Sequence, residues 1–181
     1  MEISKVKTAK RIGEFVLRDD DSPNLIKVVY DPNIPKNELE SPDPRVYIFT
    51  SNGVIKKIGG SESKGGIKST LSFYENARTG SPGPSRFITH GLIARELQKG
   101  HRVEIYLITS PRVRARICGL FDCSHETDIA AFKEMESRCL EDFKLVEGRY
   151  PDWNFQENHE TYPHDLYQEY LRYHNKRTSR S

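Results

Sequence analysis

The chain has 181 residues, 35% of them hydrophobic and 30% charged, with 28 basic against 26 acidic side chains and a formal net charge of +2. That is apolar material for one modest core, and so balanced a charge leaves the question of a polyanionic partner to how the charges are distributed. No stretch approaches the ~20 apolar residues needed to span a bilayer, and the opening Met-Glu-Ile-Ser-Lys lacks the apolar run of a signal peptide, so no membrane partner and a cytoplasmic location are expected.

Residues 1–44 read as an N-terminal arm and linker. Two strand-like runs, "GEFVL" and "NLIKVVY", flank the acidic turn Asp19-Asp20-Asp21, and "DPNIPKNELESPDP" is punctuated by prolines that disfavour helix at the preceding residue. A compact unit over 45–155 opens with "VYIFTSNGVIKKIGGS", two short strands around Ser51-Asn52-Gly53. Ile67, Leu71 and Tyr74 then fall at helical spacing, and "GSPGPS" breaks that helix. Over 86–100, Ile88, Leu92, Ile93 and Leu97 share a helix face that Gly100 ends. "HRVEIYLITSP" alternates as a strand. "RVRARICGLF" reads as a strand or irregular loop, and on a strand Arg112, Arg114 and Arg116 share one side. The longest helix is expected from Asp128 to about Val146, with Phe132, Met135, Cys139, Leu140 and Phe143 as its apolar stripe. Residues 156–181 read as a C-terminal helical tail, tyrosine-rich and ending in Lys176, Arg177 and Arg180. The tail packs a dimer or wraps DNA. The order predicts an α+β fold, a small central β-sheet flanked by helices.

Cys118, Cys123 and Cys139 are an odd number of cysteines in a chain with no export signal, so reduced thiols are expected. With His125 they form a C-x4-C-x-H pattern rather than paired knuckles. Half-buried cysteines fit it better than structural zinc. The arginine row at 112–116 is either a solvated edge strand or a set of phosphate and base contacts.

The ordered set "RVYIF", "KKIGG", "IKSTLSFY", "GLIARELQKGHRVEIYLI" and "ESRCLEDFKLVEGRYPDWN" resembles the GIY-YIG nuclease superfamily over roughly 45–155. The likeness is nearest to its small type II restriction endonucleases, in which lysine replaces the tyrosine of the second motif. The resemblance implies a sequence-specific double-stranded DNA endonuclease using Mg²⁺, with Mn²⁺ as a substitute. A palindromic site would imply a homodimer, and a cognate DNA methyltransferase would be a functional rather than physical partner. A structure-selective or low-specificity nuclease of the same superfamily and a non-cleaving, nuclease-derived DNA-binding protein are the alternatives.

Residue by residue, the resemblance implies that Tyr47 orders or deprotonates the attacking water. A phenol with an ordinary pKa near 10 needs a cation beside it for that work, and Lys57 is the one implied. Tyr74 would bond a phosphate oxygen. Glu141 would bind the metal, chosen over Glu134 and Glu136 by its spacing to Trp153-Asn154. The turn Gly59-Gly60-Ser61 would admit the DNA backbone. The family places an arginine where this chain has Thr70, and Lys68, Arg78 or Lys64 would replace its charge. Lys64, Arg78, Arg86, His90, Arg112, Arg114 and Arg116 complete the expected DNA contacts, with His90 facing either the DNA or the core.

Overall fold

Alternating apolar residues build five strands: β1 (Lys10–Leu17), β2 (Ile26–Tyr30), β3 (Arg45–Ser51), β4 (Val54–Ser61) and β5 (Val103–Thr109). The computed structural model describes the backbone of residues 1–178 and the side chains through 174. Lys176, Arg177 and Arg180 lie outside the described side chains. The strands form one antiparallel sheet in the order β2-β1-β5-β3-β4. β3 is buried along its whole length because both its faces are covered. The expected α+β architecture, a sheet flanked by helices, is what the chain adopts.

Pleating divides β3 between two cores. Tyr47 and Phe49 face helices α2 (Gly66–Glu75) and α3 (Pro84–Gln98), in a cluster with Ile67, Leu71, Ile93 and Phe15. Val46 and Ile48 face α4 (Phe132–Glu147) and pack with Leu140 and Phe143. Each such buried side chain contributes about 1.5–3 kcal/mol, so the sheet is held from both sides.

The N-terminal stretch is a hairpin as expected, but it is not an arm. β1 pairs with β5 inside the sheet, and Ile12, Phe15, Ile26 and Leu39 belong to the main core. Within the expected linker, Lys36–Leu39 forms the short helix α1. The expected longest helix begins later than Asp128. The preceding residues form β7 (His125–Ile129), which pairs with β6 (Val113–Ile117) in a separate two-stranded ribbon. At its tip Cys118 and Cys123 form a disulfide, against the expected reduced thiols, which also removes two sulfurs from the zinc pattern. The C-terminal helix α5 (His164–Thr178) packs on α3: Leu166 is buried, and a Cβ at Gly91 would lie 2.7 Å from its Cδ2. No helix among the described residues is long and apolar enough to cross a membrane.

Candidate active site

Asn52 and Gly53 both take positive φ, 47° and 81°, and close the β3–β4 hairpin with a two-residue turn that suits its twist. The register slips once, between Phe49 and Thr50, leaving Lys56 as an extra residue in β4. Ile55 and Ile58 therefore both face α4, while Lys57 shares the Tyr47 side of the sheet. Lys56 leaves the site and pairs with Asp152 at 2.8 Å.

The Tyr47 and Tyr74 hydroxyls, from β3 and α2, meet at 2.8 Å. Both rings are buried, and Phe49 sits against each at 5.2 Å between centroids. Tyr47 lies across Gly59, its partner in β4, and a Cβ at that glycine would lie 2.4 Å from both the Cζ and the hydroxyl oxygen of the phenol. Burial pushes the Tyr47 hydroxyl up to about 12 and Tyr74 well above its usual value. Lys57 is only 8% exposed, and burial lowers its pKa. Two things act against the rise at Tyr47, the hydrogen bond with Tyr74 and, more weakly, the charge of Arg86, a cation other than the Lys57 expected from sequence.

The carboxylate that joins this group is Glu136. It stands on the sheet-facing side of α4, one turn before Leu140, and it accepts a hydrogen bond from the Gly60 amide. A Cβ at Gly60 would lie 2.7 Å from Glu136 Oε2 and 3.0 Å from Phe132 Cδ2. Gly59 and Gly60 thus make room for the protein's own Tyr47 and Glu136 rather than for a DNA backbone. Burial raises the pKa of Glu136, and Lys57 acts against that rise. Glu141 is exposed, five residues on and about 140° around the helix, so it does not face Tyr47 and Lys57. Glu157, on the loop after α4, adds a second negative field on Tyr47, Lys57 and Glu136. Asn154 fixes the strand beneath them: Oδ1 accepts from Ile58 N at 3.0 Å, and Nδ2 donates to Ile58 O at 2.9 Å.

The other expected residues disperse. Lys68 pairs with Glu40 at 3.0 Å, away from the hydroxyls, and Lys64 is exposed before α2. Arg78 pairs with Glu169 at 2.6 Å and lies over Phe87, on the α3–α5 side. His90 belongs to the core and not to a DNA face. It is fully buried, donates from Nδ1 to the Tyr74 carbonyl at 2.7 Å, and accepts the Leu25 amide at Nε2 at 3.1 Å. Burial lowers its pKa to about 4. In the ribbon, Arg114 reaches Glu126 and Asp128 at 3.5 Å, Arg116 reaches Glu126 at 3.2 Å, and Arg112 donates to the Pro42 carbonyl. Thr70 is buried, its hydroxyl 2.6 Å from that of Ser61.

Sequence reasoning passed over Glu136 and Glu157. For Glu136 a signal existed, since it stands four residues before the apolar Leu140 and seven before Phe143. Among the described residues no group of three or more His, Cys, Asp or Glu side chains could hold a metal ion, so a divalent cation bound here would rest on Glu136 and water. One half-buried carboxylate, reinforced by the field of a second, is the ligand economy Mg²⁺ uses when it keeps several waters.

The sequence matches no protein-family model and no curated protein. In fold the chain is similar to a glutamate-to-alanine mutant of bacteriophage T4 EndoII, with a TM-score of 0.53 and 18% identity over 84% of this chain and 95% of that one. A structure of the restriction endonuclease HPY188I with product DNA aligns at a TM-score of 0.48 and 18% identity, covering 83% of this chain and 84% of that one.

Proposed function

We propose that the chain is a metal-dependent DNA endonuclease of GIY-YIG type that hydrolyses phosphodiester bonds in double-stranded DNA at specific sequences, acting as a homodimer. The observation that carries the reading is the buried Tyr47–Tyr74 hydroxyl pair beside Lys57 and Glu136, on a fold shared with EndoII. Tyr47 orients the attacking water and takes its proton. Tyr74 positions the Tyr47 hydroxyl and offers its own to a phosphate oxygen. Lys57 balances the carboxylates and holds positive charge near the reacting phosphate. Glu136, rather than Glu141, holds the divalent ion. Bound there, Mg²⁺ or Mn²⁺ would stabilise charge developing on the leaving oxygen.

Purified protein with Mg²⁺ is expected to cut plasmid DNA into discrete fragments, and Tyr47→Phe or Glu136→Ala to stop it. Discrete fragments surviving both substitutions would sink the site assignment, and smeared products would replace sequence specificity with a low-specificity nuclease. One observation favours a non-cleaving DNA-binding protein instead. Thr70 is packed against Ser61 and brings no charge to the phosphate. Salt-sensitive DNA binding without cutting under either metal would establish that reading.

A further inference from the structure

Preorganised cations aimed at the phosphate's non-bridging oxygens stabilise the charge that develops in phosphodiester hydrolysis, and Thr70 brings none from α2. The described cations nearby are mostly committed. Lys68 is paired to Glu40 and Arg78 to Glu169. Arg45 is fully buried and donates to the carbonyls of Ser41, Asp43 and Ser63. Lys57 lies in the field of Glu136 and Glu157. Lys64 is exposed on the turn before α2.

Arg86 differs from all of these. It stands in the first turn of α3, exposed, with no carboxylate partner among the described residues. Its guanidinium carbon sits 4.4 Å over the Phe73 ring, and Phe73 is the neighbour of Tyr74 in α2. Stacking of this kind spends a face of the guanidinium plane and leaves the N–H edge free to donate. The same side chain borders a cleft lined by Ser72, Phe73, Asn76 and Ser81, which keeps that edge open to solvent. Its positive charge also favours the ionised forms of Tyr47 and Tyr74 alike.

We infer that Arg86, steadied on Phe73 next to Tyr74 in α2, is the phosphate clamp of this site, supplied by α3 where Thr70 brings no charge. The inference rests on the proposed nuclease reading and adds to it a catalytic residue with two tasks. Arg86 holds the scissile phosphate in a bidentate grip, and its charge favours the Tyr47 phenolate, the form able to take the water's proton. Phe73 is its positioning residue, acting through the guanidinium plane.

The test is single-turnover cleavage of plasmid DNA with Mg²⁺ between pH 6.5 and 9.5, beside DNA affinity at fixed salt. Three variants are compared with the wild type: Arg86→Ala, Arg86→Lys and Phe73→Ala. Arg86→Ala is expected to slow cleavage by about a hundredfold or more while affinity falls far less, since one donor is lost mainly from the transition state. Arg86→Lys should recover little of the rate because lysine lacks the planar fork, while the rise of rate with pH should shift upward in Arg86→Ala and stay near wild type in Arg86→Lys, which keeps the charge. Phe73→Ala should fall between wild type and Arg86→Ala. An Arg86→Ala enzyme cutting within threefold of wild type, with an unmoved pH profile, would overturn the clamp. If the wild type binds DNA without cutting, the nuclease reading fails by itself and binding judges the clamp: Arg86→Ala must then lower affinity and flatten its salt dependence, and unchanged binding would overturn it.

Discussion

The β3–β4 hairpin and the β6–β7 ribbon are both two-stranded, and both were marked in the sequence by basic residues beside apolar ones. They end as opposites. In the hairpin both faces are covered, so most polar groups are engaged inside, Tyr47 with Tyr74, Lys57 among carboxylates and Ser61 with Thr70, while the Thr50 hydroxyl is buried without a partner. In the ribbon both faces are open. Val113, Ile117, Leu120 and Phe121 are exposed, and the arginines lean on Glu126 and Asp128 across the strand pair. Basic spacing announces neither a site nor a solvated face. Coverage by a second layer decides which one results.

The strongest way to break the comparison is on α4, where one helix presents a covered and an uncovered glutamate. On the proposed nuclease reading, Glu136→Ala is expected to reduce cleavage by about a thousandfold, as charge stabilisation by a bound metal would be lost, and Glu141→Ala to stay within threefold. The reverse order would return the metal to the exposed face.

Gly59→Ala sets a Cβ against the Tyr47 phenol. Overpacking of this kind costs about 1–3 kcal/mol, so thermal unfolding should move to lower temperature and cleavage should fall with it. An unchanged melting temperature would show that the tyrosine has room to retreat.

A third test concerns His90, buried behind the site. Its folded pKa of about 4 lies below the ordinary 6.5, so the unfolded chain binds the extra proton first as pH falls. The stability tied to the neutral ring is fully present above pH 6.5 and is lost as pH drops towards 4, by roughly 3 kcal/mol at most. Chemical denaturation across that window should show the decline in the wild type and a shallower one in His90→Gln. Equal slopes would exclude His90 as the acid-sensitive group.

The smallest effect is expected in the ribbon. Exposed ion pairs contribute about 0–1 kcal/mol each, so Arg114→Ala with Arg116→Ala should leave the melting temperature nearly unchanged. On the hypothesis that the ribbon contacts DNA, those arginines exchange carboxylate for phosphate, and the double variant should show a shallower dependence of affinity on salt. An identical salt slope would make the ribbon a solvated element.

Much of the framework could be read from periodicity: both hairpins, α2, α3 and the strand β5 stand close to where alternation and helical spacing put them. The Tyr47, Lys57 and Tyr74 grouping came from an ordered resemblance rather than from spacing. What escaped was long-range. β1 joins β5 across about ninety residues of sequence, and no local pattern announces that pairing. Asp128 and Ile129 look like helix in sequence but are held as strand by cross-pairing to Arg114 and Val113. That Glu136 faces the sheet and Glu141 faces solvent turned on which side of α4 is covered, which the stripe Leu140–Phe143 encodes but a count of residues to Trp153 does not. Lys57 as the tuner of Tyr47 followed from adjacency in the hairpin, whereas the stronger cation arrives from a different helix.

The clasp of Asn154 on Ile58 has a consequence for assembly. β4 is the last strand of the sheet, and its outer rim would ordinarily offer a row of unmatched peptide groups to any passing chain. Here the row is filled piecemeal. Ile3 donates to the Gly53 carbonyl and Ile55 to that of Met1, Trp153 donates to the Lys56 carbonyl, and the Asn154 carboxamide stands in for a peptide opposite Ile58. Two remote scraps of chain and one side chain together counterfeit a sixth strand. Two copies of the protein therefore cannot join by zipping their sheets together along β4, and any dimer must be built from other surfaces.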